Sequence, residues 1–153
     1  MNRRAEIAMT AEEQAAFLAG SRTIVLSTLD GRGYPHSVAM WFALIDGLVH
    51  MTSFRKAQKV VNLRRDPRLT CLVETGESYD QLRGVTLIGT GEIIDDPARM
   101  WELGVSVFER YNGPYSEEMK PFVEAMLNKR VVVKLHVDKT VTWDHRKLGL
   151  PAM

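Results

Sequence analysis

The sequence has few of the features that assign a protein to one cellular compartment or to one type of reaction. Its 153 residues include a single cysteine, Cys71, so no internal disulfide can form, as is usual in a reducing cytoplasm. No apolar run approaches the roughly eighteen residues that a membrane span needs, and the charged N-terminus leads into no apolar signal segment. We therefore expect a soluble, cytoplasmic protein that does not enter a membrane.

Net charge is also nearly absent. Lysine and arginine number 20 and aspartate and glutamate 19, for a net charge of +1, which gives no electrostatic basis for general binding of nucleic acid. Charged residues make up 25% of the chain and hydrophobic residues 45%, as in ordinary globular proteins. The length fits one domain over residues 1–153, which can bury a core without disulfides or a structural metal.

Self-sufficient catalytic motifs are missing as well. The histidines, at positions 36, 50, 136 and 145, do not have the spacing of metal ligands, so we expect no metal site. There is no Gly-x-Ser-x-Gly motif, and Cys71 lies in an apolar run where a buried, inert thiol is expected. Asp95 and Asp96 are explained as a helix cap before Pro97. An enzyme with this sequence would take its difficult chemistry from a bound cofactor.

The apolar and turn patterns that are present predict six or seven strands in hairpin order, with helices between them. The predicted strands cover residues 23–29, 36–44, 48–52, 69–74, 85–94 and 130–137, with a short seventh at 141–144. The predicted helices cover residues 11–19, after a Thr-x-x-Glu capping box, 97–111 and 116–128, besides the segment discussed next. This order indicates a mainly β protein with α insertions, built as a small barrel.

The stretch from residue 51 to residue 68 is the best candidate for a ligand site. Thr52 and Ser53 lead into a segment with helical spacing, and the bases Arg55, Lys56 and Lys59 stand at its start. Bases there oppose the helix macrodipole by about a few tenths of a kcal/mol each, a cost more easily tolerated if an anion is bound. Hydroxyls, free N–H groups and positive charge together suit a phosphate. The alternative is a solvated basic helix, since no Gly-rich nucleotide loop is present.

The strand predicted over residues 36–44 is apolar on nearly both faces. This pattern suggests one face in the barrel core and the other against a partner subunit or a ligand. Met40, Trp41 and Phe42 are candidate pocket or dimer residues, with core packing favoured for at least two of them. In a later strand, Gly89 and Gly91 point to one face and predict a bend or the close approach of another group.

Four motifs taken in chain order resemble the pyridoxamine 5′-phosphate oxidase-like split β-barrel family. They are Asp-Gly-Arg-Gly-Tyr-Pro-His-Ser-Val at 30–38, Met-Trp-Phe at 40–42, the Asp-Gly hairpin at 46–47, and Thr-Ser-x-Arg-Lys-x-x-Lys-Val-x-Asn-Leu-Arg-Arg-Asp-Pro-Arg at 52–68. Within this family the chain is similar to the flavin/deazaflavin oxidoreductases, a group that includes coenzyme F420-dependent reductases. The resemblance extends from about residue 9 to residue 148 and includes the ending Trp-Asp-His-Arg-Lys-Leu.

The resemblance implies a homodimer with two cofactor sites at the subunit interface. It places the cofactor phosphate at the start of the helix after the third strand and the cofactor ring along the second strand, largely against backbone groups. The phosphate residues it implies are Thr52, Ser53, Arg55, Lys56 and Lys59, and Met51 beside them is also expected to bind the cofactor. The ring residues are His36, Ser37 and Val38, and the residues expected to close the site from the partner subunit are Tyr79, Trp143 and Arg146.

The resemblance also implies an oxidoreductase. Extra basic and aromatic residues that bind the substrate phosphate in pyridoxamine-phosphate oxidases have no equivalent here, so vitamin B6 oxidation is not expected. Coenzyme F420 carries a phospholactate and an anionic oligoglutamate tail, and the bases, with Arg64 added, favour it over FMN. The expected function is hydride transfer from reduced F420 to a small unsaturated or quinone-like electrophile, with water or Tyr79 as proton donor. An FMN-dependent enzyme and a non-catalytic flavin- or haem-binding module are the alternatives.

Overall fold

A computed structural model describes residues 2–152. The strands are β1 (Ile24–Leu29), β2 (Pro35–Met40), β3 (Ala43–Ile45), β4 (Leu48–Phe54), β5 (Arg68–Thr75), β6 (Arg83–Ile94) and β7 (Arg130–Asp144). The helices are α1 (Arg3–Glu6), α2 (Ala11–Gly20), α3 (Gln58–Arg65), α4 (Pro97–Asn112) and α5 (Lys120–Leu127). Short 3₁₀ turns lie at Tyr79–Gln81, Glu117–Met119 and His145–Leu148. None of the helices within residues 2–152 is long and apolar enough to cross a membrane.

All seven strands form one antiparallel sheet in the order β2-β1-β5-β6-β7-β4-β3. The sheet curls around an apolar core, which confirms the predicted mainly β split barrel with α insertions. Alternate residues point inward, as in β1, where Ile24, Leu26 and Thr28 are buried. A second apolar cluster lies between the outer face of the sheet and α4, where Leu103 and Val107 are buried at helical spacing.

The continuous strand predicted over residues 36–44 is wrong, because the chain leaves the sheet at Trp41 and Phe42. The hydroxyl of Tyr111 on α4 accepts a hydrogen bond from the Phe42 N–H at 3.1 Å and donates to the carbonyl of Arg22 at 2.6 Å. A side chain thus replaces a strand partner for Phe42. The chain passes here from β2, at one edge of the sheet, to β3, at the other. Phe42 is fully buried and Met40 packs against the core, as predicted.

The last two predicted strands are instead one strand, β7, which pairs with β6 along almost its whole length. The register shifts at Gly89, where a side chain would place its Cβ 1.9 Å from the carbonyl oxygen of His136. At Gly91 an added Cβ would lie 2.7 Å from a methyl group of Leu69. Both glycines therefore allow a close approach, as their spacing predicted. Exposed polar residues at 138–140 hide the continuity of β7 in the sequence.

The predicted helix caps are present. Thr10 and Glu13 form a reciprocal capping box at α2, with bonds of 3.1 and 2.9 Å. The Asp96 carboxylate accepts a hydrogen bond from the backbone N–H of Arg99 at the start of α4. The helix predicted over residues 116–128 is divided into a 3₁₀ turn and the shorter α5.

Candidate cofactor site

The predicted phosphate residues lie on β4, in the turn after it and in the first turn of α3. Because α3 begins at Gln58, Arg55 and Lys56 precede the helix and only Lys59 lies within its first turn, which corrects the earlier start expected from the sequence. The N-cap residue Ala57 has no side chain that can accept from the free N–H groups of the first turn. The free backbone N–H groups of the first turn of α3 therefore lie at the same end of the helix as Arg55, Lys56 and Lys59.

Arg55, Lys56 and Lys59 differ in whether a carboxylate of the same chain neutralises their charge. Arg55 donates two hydrogen bonds to the Asp95 carboxylate, at 2.9 and 3.3 Å, and both side chains are about half exposed. Exposed pairs of this kind contribute about 1 kcal/mol or less, so Arg55 remains able to exchange partners. Lys56 is exposed and forms no ion pair with any described residue.

A fourth base, Arg130, completes a cationic cluster that the sequence did not predict. Its guanidinium lies 4.1 Å from the centre of the Phe54 ring, across the β4–β7 pair. Burial lowers the pKa of Arg130. Burial, and then the charge of Arg130, lower the pKa of Lys59. Neither base forms a salt bridge with a carboxylate in the part of the chain that the structure describes. Two partly buried like charges without a counter-ion attract an anion.

Arg130 could not be found from the sequence because it lies 74 residues after Lys56 and 71 residues after Lys59. Only the pairing of Phe54 with Arg130 in the β4–β7 register brings the two segments together. A base at the start of a predicted strand is the only local signal, and it is shared by many exposed residues.

The hydroxyl-bearing part of β4 is less accessible than the sequence suggested. Met51 and Ser53 point into the barrel and are buried, and the Ser53 hydroxyl lies 3.4 Å from the carbonyl of Phe54. Thr52 lies on the other face and is half-buried. Met51 and Ser53 can therefore offer a surface ligand their backbone groups but not their side chains.

The predicted ring strand, β2, is an edge strand that pairs only with β1. Backbone N–H and C=O groups along its free edge can hydrogen-bond a heterocycle. Ser37 is exposed and shares a 2.7 Å hydrogen bond with Ser27, whereas Val38 packs on the core. The Nδ1 atom of His36 is buried without a hydrogen-bond partner among the described residues. A buried ring nitrogen of this kind is available to hydrogen-bond a bound ligand.

Hydrogen bonds link the ring strand to the phosphate helix. His36 stands opposite Thr28 in the β1–β2 pair. The Asn62 amide of α3 donates to the Thr28 hydroxyl at 3.0 Å, and the Gln58 amide donates to Asn62 at 2.7 Å. β1 thus fixes the position of β2 relative to the start of α3.

The residues expected to close the site form a second group. Tyr79 packs against His145, with ring centres 4.5 Å apart, and its carbonyl is 2.7 Å from Nδ1 of that histidine. Arg146 donates two hydrogen bonds to Asp144, at 2.9 and 2.7 Å, and lowers the pKa of that carboxyl. Trp143 packs where Gly84 has no side chain. The structure therefore gathers Tyr79, Trp143 and Arg146 at one place.

This second group and the cationic cluster lie toward opposite ends of the sheet. Arg83 pairs with Asp144 at one end of β6, and Ile94 pairs with Val132 at the other. β6 has 12 residues, so about 36 Å of strand separates the two ends. One chain does not bring both groups into one small-molecule site.

Other candidate chemistry is weak. Burial raises the pKa of the Cys71 thiol to about 12, so it is an inert core residue, as predicted. Within residues 2–152, no group of three or more His, Cys, Asp or Glu side chains could hold a metal ion.

Comparison with known proteins identifies the family. A family model described as Pyridoxamine 5′-phosphate oxidase matches residues 10–144. The chain belongs to the pyridoxamine 5′-phosphate oxidase family. The resemblance drawn from the sequence motifs is thereby confirmed. A comparison with curated proteins finds no match.

Solved structures similar to this chain range from high to low sequence identity. The chain is 51% identical to the conserved hypothetical protein Rv2991 from Mycobacterium tuberculosis, over 98% of this chain and 94% of that one, with a TM-score of 0.95. An F420 reductase is 25% identical over 82% of this chain and 93% of that one, with a TM-score of 0.63. HutZ, a haem storage protein from Vibrio cholerae, is 16% identical over 86% and 94%, with a TM-score of 0.68. The likeness to HutZ shows the fold alone.

The groups in this chain fit a flavin-type cofactor. Among the described residues, no carboxylate forms a salt bridge with Lys56, Lys59 or Arg130, and their positive charge suits a phosphate. The free edge of β2, with the unpartnered Nδ1 of His36 beside it, suits the polar edge of a flat heterocycle. The pyridoxamine 5′-phosphate oxidase family includes oxidoreductases, and one solved structure similar to this chain is an F420 reductase.

Proposed function

We propose that the protein is an oxidoreductase that uses reduced coenzyme F420 to transfer a hydride to a small unsaturated or quinone-like electrophile. The observation that carries the proposal is the pair of partly buried cations, Lys59 and Arg130, which form no salt bridge with a carboxylate of residues 2–152. The phosphate and acidic tail of F420 supply several negative charges, more than FMN supplies. The likeness to an F420 reductase over 93% of its length supports this choice.

Each residue has a defined task in this proposal. Lys59 and Arg130 hold the phosphate, Lys56 adds charge at the surface, and the β2 backbone from His36 to Val38 orients the ring. When bound, reduced F420 supplies a hydride to the acceptor and is oxidised, while the second hydrogen reaches the acceptor as a proton. The chain has to bind, orient and shield from water, and no side chain has to act as a nucleophile.

The proposal includes a homodimer with a site at each subunit interface. Tyr79, Trp143 and Arg146 lie far along β6 and β7 from the cationic cluster, so a second copy of the chain would have to supply them. Tyr79 is 55% exposed, and its phenol can deliver the proton if water does not.

The test is a fluorescence titration of the purified protein with F420 and, in parallel, with FMN. We expect micromolar or tighter binding of F420, weaker binding of FMN, and oxidation of reduced F420 by quinone acceptors. In Lys59→Ala the dissociation constant for F420 should rise about tenfold to a hundredfold, because a charge-assisted contact is lost. Lys120→Ala, at the exposed start of α5, is the matched control and should bind as the natural protein does.

Other results would decide for the alternatives. Tighter binding of FMN than of F420 would make this an FMN-dependent enzyme. Tight binding of either cofactor without turnover on a broad panel of acceptors would indicate a non-catalytic binding module. Unchanged affinity in Lys59→Ala would refute the phosphate assignment.

A further inference from the structure

Trp41 is the one member of the Met40-Trp41-Phe42 motif that the fold leaves outside. Met40 and Phe42 pack into the core, whereas Trp41 is 56% exposed at the interruption between β2 and β3. An isolated exposed aromatic residue needs no explanation by itself. Trp41 differs from such a residue because its surroundings hold it in one orientation.

The indole of Trp41 is stacked on the ring of Tyr111, with centroids 4.0 Å apart and planes 6° from parallel. Tyr111 is itself fixed, since its hydroxyl is bonded to the backbone of Phe42 and Arg22. The guanidinium of Arg22 lies 5.6 Å from the centre of the Tyr111 ring. One face of the indole is therefore covered by a rigid support and the other is open.

Trp41 follows directly after the row of exposed residues on β2, the strand proposed to hold the cofactor ring. Pro35, Ser37 and Ala39 are exposed, while the residues between them face inward. Ser37 and Ala39 are small, so no side chain of β2 rises beside Trp41. Trp41 follows Val38 by three residues, which is about 10 Å along an extended chain. A planar molecule bound beside the cofactor ring would meet the indole.

We propose that the Trp41–Tyr111 pair is a stacking platform that selects planar, electron-poor aromatic acceptors, such as naphthoquinones, as substrates. The inference rests on the proposed function, because it places the acceptor next to the ring of a cofactor held along β2. Aromatic pairs prefer offset parallel or edge-to-face contacts, and a preorganised platform binds without loss of side-chain freedom. A compact, non-aromatic enone makes no such contact.

The kinetic test compares 2-methyl-1,4-naphthoquinone with cyclohex-2-en-1-one as acceptors for reduced F420. In Trp41→Leu we expect the KM for the naphthoquinone to rise about fivefold to tenfold, with the KM for the enone and the dissociation constant for F420 unchanged. Trp101→Leu removes another tryptophan, from α4, where it packs against Tyr115; it is the matched control and should leave all three constants unchanged. An equal effect on both acceptors, or none on either, would overturn the inference.

A second measurement separates this inference from the proposed function, since it needs no hydride transfer. In ¹⁵N-labelled protein the indole N–H resonance of Trp41 is assigned by its loss in Trp41→Phe. Addition of the naphthoquinone should shift that resonance and not that of Trp101, even if F420 does not bind. A resonance that does not move would overturn the platform. Conversion of a dimer to a monomer in Trp41→Leu would also overturn it, by assigning the indole to a contact between two copies.

Discussion

Lys59 and Arg130 place two repelling, partly buried positive charges close together, and within the fold the contact of Arg130 with the Phe54 ring offsets only part of that cost. The pKa of Lys59 is lowered from 10.5, first by burial and then by Arg130. The cost of keeping this lysine charged is therefore present at neutral pH and is relieved only as the pH rises through its lowered pKa. Such a cost is typical of residues kept for binding rather than for stability.

We expect Arg130→Gln to make the ligand-free protein more stable and the binding site weaker. The substitution removes one of two repelling, partly buried charges, and the melting temperature should rise by about 2–4 °C. The stabilisation that saturating F420 adds should fall, because an anion contact is lost. Differential scanning fluorimetry with and without F420 measures both effects. Arg32→Gln, at an exposed turn, is the control; a ligand-free Arg130→Gln protein that melts lower would contradict the interpretation.

Cys71 allows a chemical check on the core. Its thiol is buried and its pKa is raised to about 12, so at pH 8 only about one molecule in ten thousand carries the thiolate. We expect no reaction with a disulfide reagent in the folded protein and full reaction after denaturation, measured by the released chromophore. Rapid reaction of the folded protein would show that this part of the barrel opens readily.

At the scale of elements, the approach of β6 and β7 depends on Gly89. A methyl group there would lie 1.9 Å from the carbonyl oxygen of His136. That oxygen belongs to the backbone, which cannot move aside as a flexible side chain can. We expect Gly89→Ala to destabilise the protein by about 2–4 kcal/mol, measured by urea denaturation. Gly20→Ala, at the end of α2 with open space around it, should be neutral or slightly stabilising. Equal stability of the two variants would refute the bulge geometry.

Elements set by local pattern could be predicted from the sequence, and elements set by distant partners could not. The Thr10–Glu13 capping box and the Asp96 cap depend on residues within one turn, and both are present. The break after β2 depends on Tyr111, and the continuity of β7 depends on pairing with β6. The site divides in the same way, since Lys56 and Lys59 lie within one motif while Arg130 joins them only through strand register.

At the scale of the whole molecule, the two separate groups of site residues make the dimer testable. If each site takes Lys59 from one chain and Tyr79 with Arg146 from the other, a mixed dimer can restore one intact site. At an F420 concentration near the dissociation constant of the natural protein, a Lys59→Ala chain and a Tyr79→Ala/Arg146→Ala chain would each have little activity alone. After mixing and subunit exchange, half of the dimers are mixed and one of their two sites is intact. We therefore expect about a quarter of the natural activity.

The same experiment has a clear opposite result. If each site is built from one chain, both sites of every mixed dimer carry a defect, and mixing restores nothing. The controls are each variant mixed with itself and sedimentation of the mixture, which shows whether dimers form and exchange. About 36 Å of strand separates the two groups. One folded chain therefore cannot bring both groups to a single site and account for a recovery of a quarter of the natural activity. Recovery of activity would therefore establish a shared site, and no recovery in a confirmed mixed dimer would contradict it. Full activity of the Tyr79→Ala/Arg146→Ala protein by itself would exclude both residues from the cofactor site.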